Sequence, residues 1–591
     1  MKPFDSYFSN DSIYNILIKL RIASQRKRSK LHSDREISNH KKTNFHNKIK
    51  YIGDDYLNKI VPPRRSWVSP NSKRRQESLK TTQERTKFSL KFTYLKIKNA
   101  VNSGKLDSPS WYKEFQFFCD YIRLKLSNIE NEGFESPDIL AIPKKKNLES
   151  KIEYRPVAKY CIEDRIIIGL SAKYLVDLLD SEFYKNSFAF RKNLSSGEPV
   201  THHTAFNEIL NYKECHKSAL IYVAECDIKK FYDCVSHDRV ISSFEILKDR
   251  LKAKGVLLDS RINLIMRAYL SSFSFYNVVY LKNSTDWFAS KNLQDGFFSW
   301  EEPGLIEHFN YRFDSLKFQP VGVPQGGALS CVISNIVLDY VDRKVVNSDN
   351  EQIDNDLLYI RYCDDMILMH TDKEKCLEYL KKYQLAINDC KLLIHEAGED
   401  FYSKKYSKEY WSTKAKAIYL WARNGRRINR SNIPWVGFVG YQLRFDNKIR
   451  VRKDSLVKHK LKIKEEYKRI LAALRHSNKT GFRHEHFRVS NTAVLNSFKV
   501  RLISLSVGRP SLLTPYINSF DLCWAKGFKL LTHNNISSTH LRKLDMARTY
   551  FYYKLKKILP IVEKSVYLKK IKNNNIYWGT PFSYYSIIHK K

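Results

Sequence analysis

Two adjacent carboxylates, Asp364 and Asp365, sit between the apolar runs Leu357-Leu358-Tyr359-Ile360 and Met366-Ile367-Leu368-Met369. Strand-forming residues on both sides predict a hairpin with the acids at its tip. Neighbouring carboxylates repel, so such a tip is poorly stabilised unless a cation binds there. A solvated Asp-Asp turn is the alternative, because Asp is common in turns. A third acid adds to the case. Ala219-Leu220-Ile221-Tyr222-Val223-Ala224 is short enough for a buried strand and leads through Glu225-Cys226 to Asp227. Phosphoryl transfer assisted by two divalent cations needs carboxylates converging from separate strands, one cation activating a hydroxyl and the other holding a triphosphate and its leaving group. Asp227 and Asp364 can supply that pair; alone, Asp227 could equally be a strand-end or helix-capping acid.

The elements around these acids are readable from periodicity. Apolar residues at helical spacing (Trp111, Phe115, Phe118, Ile122, Leu126) predict a helix over 110–129, and further helices are predicted over 164–184, 337–346 and 373–383. From Asp454 onward helical patterns alternate with polar loops around 477–483 and 534–539. A strand-helix mixture in the centre with helical ends predicts an α+β fold. The division expected is a basic N-terminal extension of small helices (1–110), a core (111–445) and a helical C-terminal region (446–591).

Across 591 residues, 103 Lys and Arg stand against 62 Asp and Glu, a net charge of +41, with 13% aromatic residues. That surplus points to a polyanionic partner, since cations neutralise phosphates and aromatic faces stack on unpaired bases. Residues 1–100 hold 24 basic against 8 acidic residues, with clusters at Arg26-Lys27-Arg28, Pro62-Pro63-Arg64-Arg65 and Lys73-Arg74-Arg75. A solvated tail is the alternative reading of that stretch. The ten cysteines include no CxxC pair, so reduced structural thiols are expected. No window approaches the roughly 18 apolar residues of a membrane span, and a cytoplasmic protein without a membrane partner is expected.

These residues carry a resemblance to the reverse transcriptases, specifically a prokaryotic branch similar to group II intron enzymes. Tyr362-Cys363-Asp364-Asp365 resembles the family's Tyr-x-Asp-Asp box, Asp227 to Asp233 its first catalytic-aspartate motif, and Gly322-Val323-Pro324-Gln325-Gly326-Gly327 its proline-glutamine-glycine motif. Tyr154-Arg155-Pro156-Val157, Asp164-Arg165-Ile166 and Ser187-Phe188-Ala189-Phe190-Arg191 resemble fingers motifs, and Val436-Gly437-Phe438-Val439-Gly440-Tyr441 the primer-grip turn. The resemblance spans residues 140–475 and implies a right-hand polymerase: fingers, a palm with an antiparallel sheet, and a helical thumb. It implies RNA-directed DNA synthesis, with Asp227, Asp364 and Asp365 catalytic and two Mg²⁺ ions, or Mn²⁺, on Asp227, the Ile228 carbonyl, Asp364 and Asp365. Arg155, Arg165, Tyr232, Gln325 and Gly326 would bind the dNTP, with Tyr232 under the sugar excluding a 2′-hydroxyl. Arg155 suits a triphosphate because its planar fork donates two parallel bonds, and Gly326-Gly327 would let the loop backbone approach the templating pair.

Departures shape the rest of the expectation. The aromatic stretch 272–318, with Trp287, Phe288, Phe297, Phe298 and Trp300, reads as an insertion or as a contact for template, primer or partner. The family's Lys-Thr signature is not clean, and Lys391 is its candidate. Endonuclease, retron and RNase H signatures are not seen. The resemblance is therefore to domesticated enzymes of the anti-phage defence or abortive-infection type, working on an RNA template, with a specific non-coding RNA and a DNA product. An oligomer or accessory protein stays open. Rival readings are an RNA-binding intron maturase, an RNA-dependent RNA polymerase, and an untemplated or protein-primed DNA polymerase. The C-terminal Arg548, Tyr550, Tyr552, Tyr553, Trp524 and Trp578 could hold RNA bases or build a core.

Overall fold

The computed structural model describes residues 2–38, 55–68, 82–146, 151–192, 200–298, 320–346, 354–395, 397–398, 410, 413–422, 435–479, 491–507, 528, 530–531, 535–559 and 582. They pack as two compact units that are not successive along the chain: residues 1–9 with 120–439, and residues 10–119 with 440–591.

The strands of the first unit are β1 (Asp138–Lys146), β2 (Ile152–Lys159), β3 (Ile221–Asp227), β4 (Gly296–Phe298), β5 (Leu358–Tyr362), β6 (Asp365–His370), β7 (Ala397–Gly398), β8 (Ala415–Ala422) and β9 (Trp435–Phe438). Five of them form a sheet in the order β5-β6-β3-β8-β7, with β3 at its centre, antiparallel to both β6 and β8. The continuous apolar run of β6 requires cover on both faces, and Met366 to Met369 are all buried. The Ala328–Val346 helix has almost no polar face, which places it centrally rather than at the surface. It packs against the Ile162–Leu179, His237–Ala253 and Lys373–Asp389 helices. It begins nine residues before the expected 337, directly after Gly327.

A second sheet, in the order β1-β2-β4, stands in the same unit, with β2 antiparallel to β1 and parallel to β4. The described part of the 272–318 stretch contributes β4 to this sheet. Phe288 and Phe298 are fully buried, and Phe288 stacks on Tyr154 at 5.1 Å. Gly296 permits the closure: a Cβ there would stand 2.2 Å from the Ile152 carbonyl oxygen. Residues 299–318, including Trp300, lie outside the described residues. The chain's first residues belong to this unit too, with Tyr7 Oη donating to Asp177 at 2.7 Å and Asp5 paired with Arg261 at 2.7 Å.

The second unit is built on the Asn10–Ser38, Thr82–Asn102, Lys453–Lys479, Asn491–Val507 and Asn535–Ile558 helices, with a hairpin of β10 (Tyr441–Arg444) and β11 (Ile449–Val451). The Asn10–Ser38 and Thr82–Asn102 helices are longer than the small helices expected there, and Tyr14 stacks on Tyr94 at 4.1 Å in their core. The expected loop 534–539 is instead the first turn of the Asn535–Ile558 helix. Its Asn-Ile-Ser-Ser sequence is polar because Asn and Ser favour helix starts as well as turns. Of the other expected loop, 477–483, residues 477–479 are the end of the Lys453–Lys479 helix, and residues 480–490 lie outside the described residues.

Candidate active site

β3 and the β5–β6 hairpin bring the acids together. Tyr362 and Asp365 are Cα partners across the hairpin, leaving Cys363-Asp364 as a two-residue turn, and Cys363 takes φ +60°. Left-handed backbone is costly for a residue with a Cβ, so this turn is held by its surroundings. Asp227 and Asp365 stand directly across from each other on β3 and β6, and the Ile228 N–H donates to the Asp364 carbonyl at 3.4 Å. Asp227 is 7% exposed and Asp365 is exposed. Burial, followed by the charge of Asp227, raises the Asp364 carboxyl above the ordinary aspartate range.

Two residues join this set that sequence reasoning missed. The Lys414 ammonium lies 2.5 Å from Asp227 Oδ2, and His395 Nε2 lies 3.6 Å from that oxygen and 3.1 Å from Lys414 Nζ. His395 arrives because 393–395 runs back along the end of β3: Lys229 N–H donates to the Leu393 carbonyl, and His395 N–H to that of Asp227. Lys391, the sequence-based candidate, is exposed at the start of that segment with φ +56°. Lys414 was legible only through register. β8 runs antiparallel to β3 with Glu225 opposite Lys416, which sets Lys414 level with Asp227. Both acid-lysine pairs form, Lys416 to Glu225 at 2.6 Å. Glu-x-Asp on one strand and Lys-x-Lys on its partner is a complementary alternation visible in the sequence once the pairing is known.

Among the described residues no three His, Cys, Asp or Glu side chains stand together as a ready metal cage. The donor chemistry nevertheless suits hard divalent cations: carboxylate oxygens and a backbone carbonyl, with one carboxyl raised by burial and then by its neighbour's charge, and a lysine drawn onto the other.

The nucleotide-binding candidates divide into two groups. Gln325, Gly326, Tyr232 and Arg155 come together. Val323 N–H donates to the Tyr232 carbonyl at 2.7 Å, and Ala158 N–H of β2 donates to the Gln325 carbonyl at 3.0 Å. Gln325 Nε2 donates to Asp233 Oδ1 at 2.6 Å, and Arg155, exposed on β2, acts electrostatically on the same carboxylate. The hydroxyl of half-buried Tyr232 lies 3.2 Å from Cys363 Sγ, linking this loop to the turn that carries Asp364. Gly326 is exposed at φ +89°. Gly327 has a structural reason of its own, since a Cβ there would stand 1.9 Å from the buried Tyr269 hydroxyl. Arg165 is exposed in the first turn of the Ile162–Leu179 helix, and among the described residues no hydrogen bond joins it to the others.

Asp233 was named only as the end of a motif, yet it holds Gln325. Burial pushes its carboxyl up to about 6, against the Gln325 hydrogen bond and the charges of Lys230, Lys144 and Arg155. The folded-state value lies above the ordinary 3.8. The native protein therefore binds the extra proton in that window, and stability from this group is lost as pH rises through it. Asp233→Asn keeps an oxygen for Gln325 and is expected to be more stable than the parent at pH 8, by about 2 kcal/mol, with the gain vanishing near pH 4. Thermal melts across that range check this; equal stability at pH 8 would contradict it.

In the second unit, Tyr550 and Tyr553 are 58% and 55% exposed on the Asn535–Ile558 helix, with Met546 on the same side and Lys554 over the Tyr550 ring at 5.5 Å. Arg548 is buried and Tyr552 half-buried, while Trp524 and Trp578 lie outside the described residues. Arg64 and Arg65 are exposed; Lys73-Arg74-Arg75 lies outside the described residues.

Residues 142–411 match the family described as "Reverse transcriptase (RNA-dependent DNA polymerase)", a segment that contains Arg155, Arg165, Asp227, Ile228, Tyr232, Gln325, Gly326, Asp364 and Asp365. That segment is what is similar to the RNA-dependent DNA polymerases. A comparison with curated proteins gives no match. Solved structures similar to it include telomerase from Candida albicans in complex with a fragment of telomeric RNA, at 12% identity over 76% of this chain and 64% of that one, with a TM-score of 0.30. Apo telomerase from Candida tropicalis is similar at 12% identity over 94% and 82%, with a TM-score of 0.34. A form of it truncated from the C-terminal domain is similar at 14% identity over 54% and 55%, with a TM-score of 0.30. This chain spans less than two thirds of the first and last of these.

Proposed function

We propose that this chain extends DNA from dNTPs on an RNA template at a two-metal site formed by Asp227, Asp364 and Asp365. The observation that carries the reading is the cross-strand pair Asp227–Asp365 with Asp364 in the intervening turn, its carboxyl raised by burial and by Asp227. Mg²⁺ or Mn²⁺ would be held by these three carboxylates and the Ile228 carbonyl, and when bound supplies the charge that activates the primer hydroxyl and steadies the triphosphate. The chain's own groups do the rest. Arg155 and Arg165 neutralise the triphosphate, Gln325 held by Asp233 lines the nucleotide, and Gly326 leaves its backbone open to the base pair. Tyr232, anchored beside the Asp364 turn, closes the space beneath the sugar. The first unit then corresponds to fingers and palm, and the 446–591 helices to the thumb. The purified protein should incorporate deoxyribonucleotides and reject ribonucleotides. Preferred incorporation of ribonucleotides would assign it to RNA synthesis instead.

The biological role inferred is anti-phage defence in the cytoplasm, resting on the resemblance of the motifs to domesticated bacterial enzymes. Among the described residues no helix is long and apolar enough to cross a membrane. Cells carrying the gene should plate phage less efficiently than cells carrying Asp364→Ala, and equal plating would end this inference. A specific non-coding RNA is the partner proposed, held by the basic first hundred residues and by the Tyr550–Tyr553 face, where exposed rings alternate with Lys554 and Lys557. RNA recovered with the protein should be enriched for one species, and a sample of the cell's whole pool would contradict it.

A further inference from the structure

Arg361 is a lone cation in the apolar β5 strand, and its side chain is completely buried. Burying a guanidinium is costly unless every donor is satisfied, and here the partners are specific. Nε and Nη2 donate to both oxygens of Asp342, at 2.8 and 2.7 Å. Nη1 donates to Asn335 Oδ1 at 3.2 Å and to the backbone carbonyl of Cys363 at 3.1 Å. Tyr359 Oη donates to the same Asp342 carboxylate at 2.7 Å, and Asn335 Nδ2 to the Ala189 carbonyl at 2.9 Å. Asn335 and Asp342 both lie on the Ala328–Val346 helix, which starts where the Gln325–Gly327 loop ends. One cation thus joins the strained turn that carries Asp364 to the helix that follows the nucleotide loop.

Replacing a buried ion pair by an apolar pair of similar volume is often neutral or stabilising, so stability alone does not account for this one. What an apolar pair cannot do is hold the Cys363 carbonyl. We propose that Arg361 is a positioning residue: its Nη1 pins the Cys363 carbonyl, keeps the turn at φ +60°, and so holds Asp364 against Asp227 for metal binding and catalysis. This inference rests on the reading of Asp227 and Asp364 as the metal site.

The test separates positioning from stability. The double variant Arg361→Met with Asp342→Leu, made in a Tyr359→Phe background so that no buried hydroxyl loses its acceptor, removes the clamp while refilling the core. It should melt within about 3 °C of the parent, keep the KM for dNTP, lose about 100-fold in kcat, and bind Mn²⁺, followed by electron paramagnetic resonance, about 10-fold more weakly. Recovery of kcat and Mn²⁺ affinity together with melting temperature would make Arg361 a structural residue and overturn the proposal. Should the double variant not fold, Arg361→Lys decides: it keeps the charge beside Asp342 but lacks the fork that also reaches Cys363, so kcat should fall about 10-fold or more, and parental kcat overturns the proposal. Arg250→Ala breaks a different ion pair to the same helix, at Asp339, and should lower the melting temperature while leaving kcat unchanged. A parallel loss of kcat there would mean that any weakening of the helix suffices, and would also overturn it. A parent protein that neither binds Mn²⁺ nor incorporates dNTPs overturns the underlying metal-site reading itself.

Discussion

Asp364→Ala and Asp227→Ala should each abolish practical DNA synthesis, with incorporation expected to fall by about three orders of magnitude or more, equivalent to losing about 4 kcal/mol of transition-state stabilisation. The two variants differ in stability. Asp364 is raised by burial and by the charge of Asp227, so its removal relieves repulsion, and Asp364→Ala should melt no lower than the parent. Asp227 accepts from the Lys414 ammonium and sits 7% exposed, so Asp227→Ala leaves a lysine beside an emptied strand end and should melt lower. Primer extension and thermal melts on the two proteins check both halves. Near-normal extension by Asp364→Ala with Mg²⁺ would remove the assignment.

The acids were legible because their neighbours are. A strand that ends in Asp227 and a hairpin near Asp364 follow from apolar runs of four to six residues, although the strand starts at Ile221 rather than Ala219 and the tip is Cys363-Asp364, with Asp365 already on β6, rather than the acid pair expected. The parts that stayed hidden depend on which distant elements pair. Lys414 and His395 reach Asp227 only because β8 and the 391–395 segment flank β3, and nothing local in either stretch marks them. Arg361 looked like one more basic residue in a chain with 103 of them, and its burial depends on Asp342 and Asn335, 19 and 26 positions earlier on the Ala328–Val346 helix. Asp233 could be read as the end of a motif, while its hold on Gln325 joins residues 92 positions apart. The parallel pairing of β4 with β2 was equally invisible, since three residues carry no period.

Tyr232→Ala carries the second large effect, an increase of about 10- to 100-fold in the use of ribonucleotides relative to deoxyribonucleotides, the scale set by one steric contact in a binding pocket. The ring is half-buried after the Asp227 strand, and its hydroxyl meets Cys363 Sγ at 3.2 Å. The proposal thus gives one side chain two jobs, filling space beneath the sugar and bracing the turn. Tyr232→Phe separates them, because it keeps the ring and loses the contact with sulfur: the ribonucleotide ratio should stay parental while kcat falls modestly. Competition between labelled dNTP and NTP on one primer gives the ratio directly. An unchanged ratio in folded Tyr232→Ala would leave the tyrosine as a core aromatic.

The most direct measurement gives the purified chain a defined RNA template, an annealed primer, the four dNTPs and Mg²⁺, and sequences what is made. The account predicts DNA complementary to the template, starting at the primer end, lost when Mg²⁺ is chelated and lost in Asp364→Ala. DNA whose sequence is independent of the template, product made of ribonucleotides, or full activity in Asp364→Ala would contradict it.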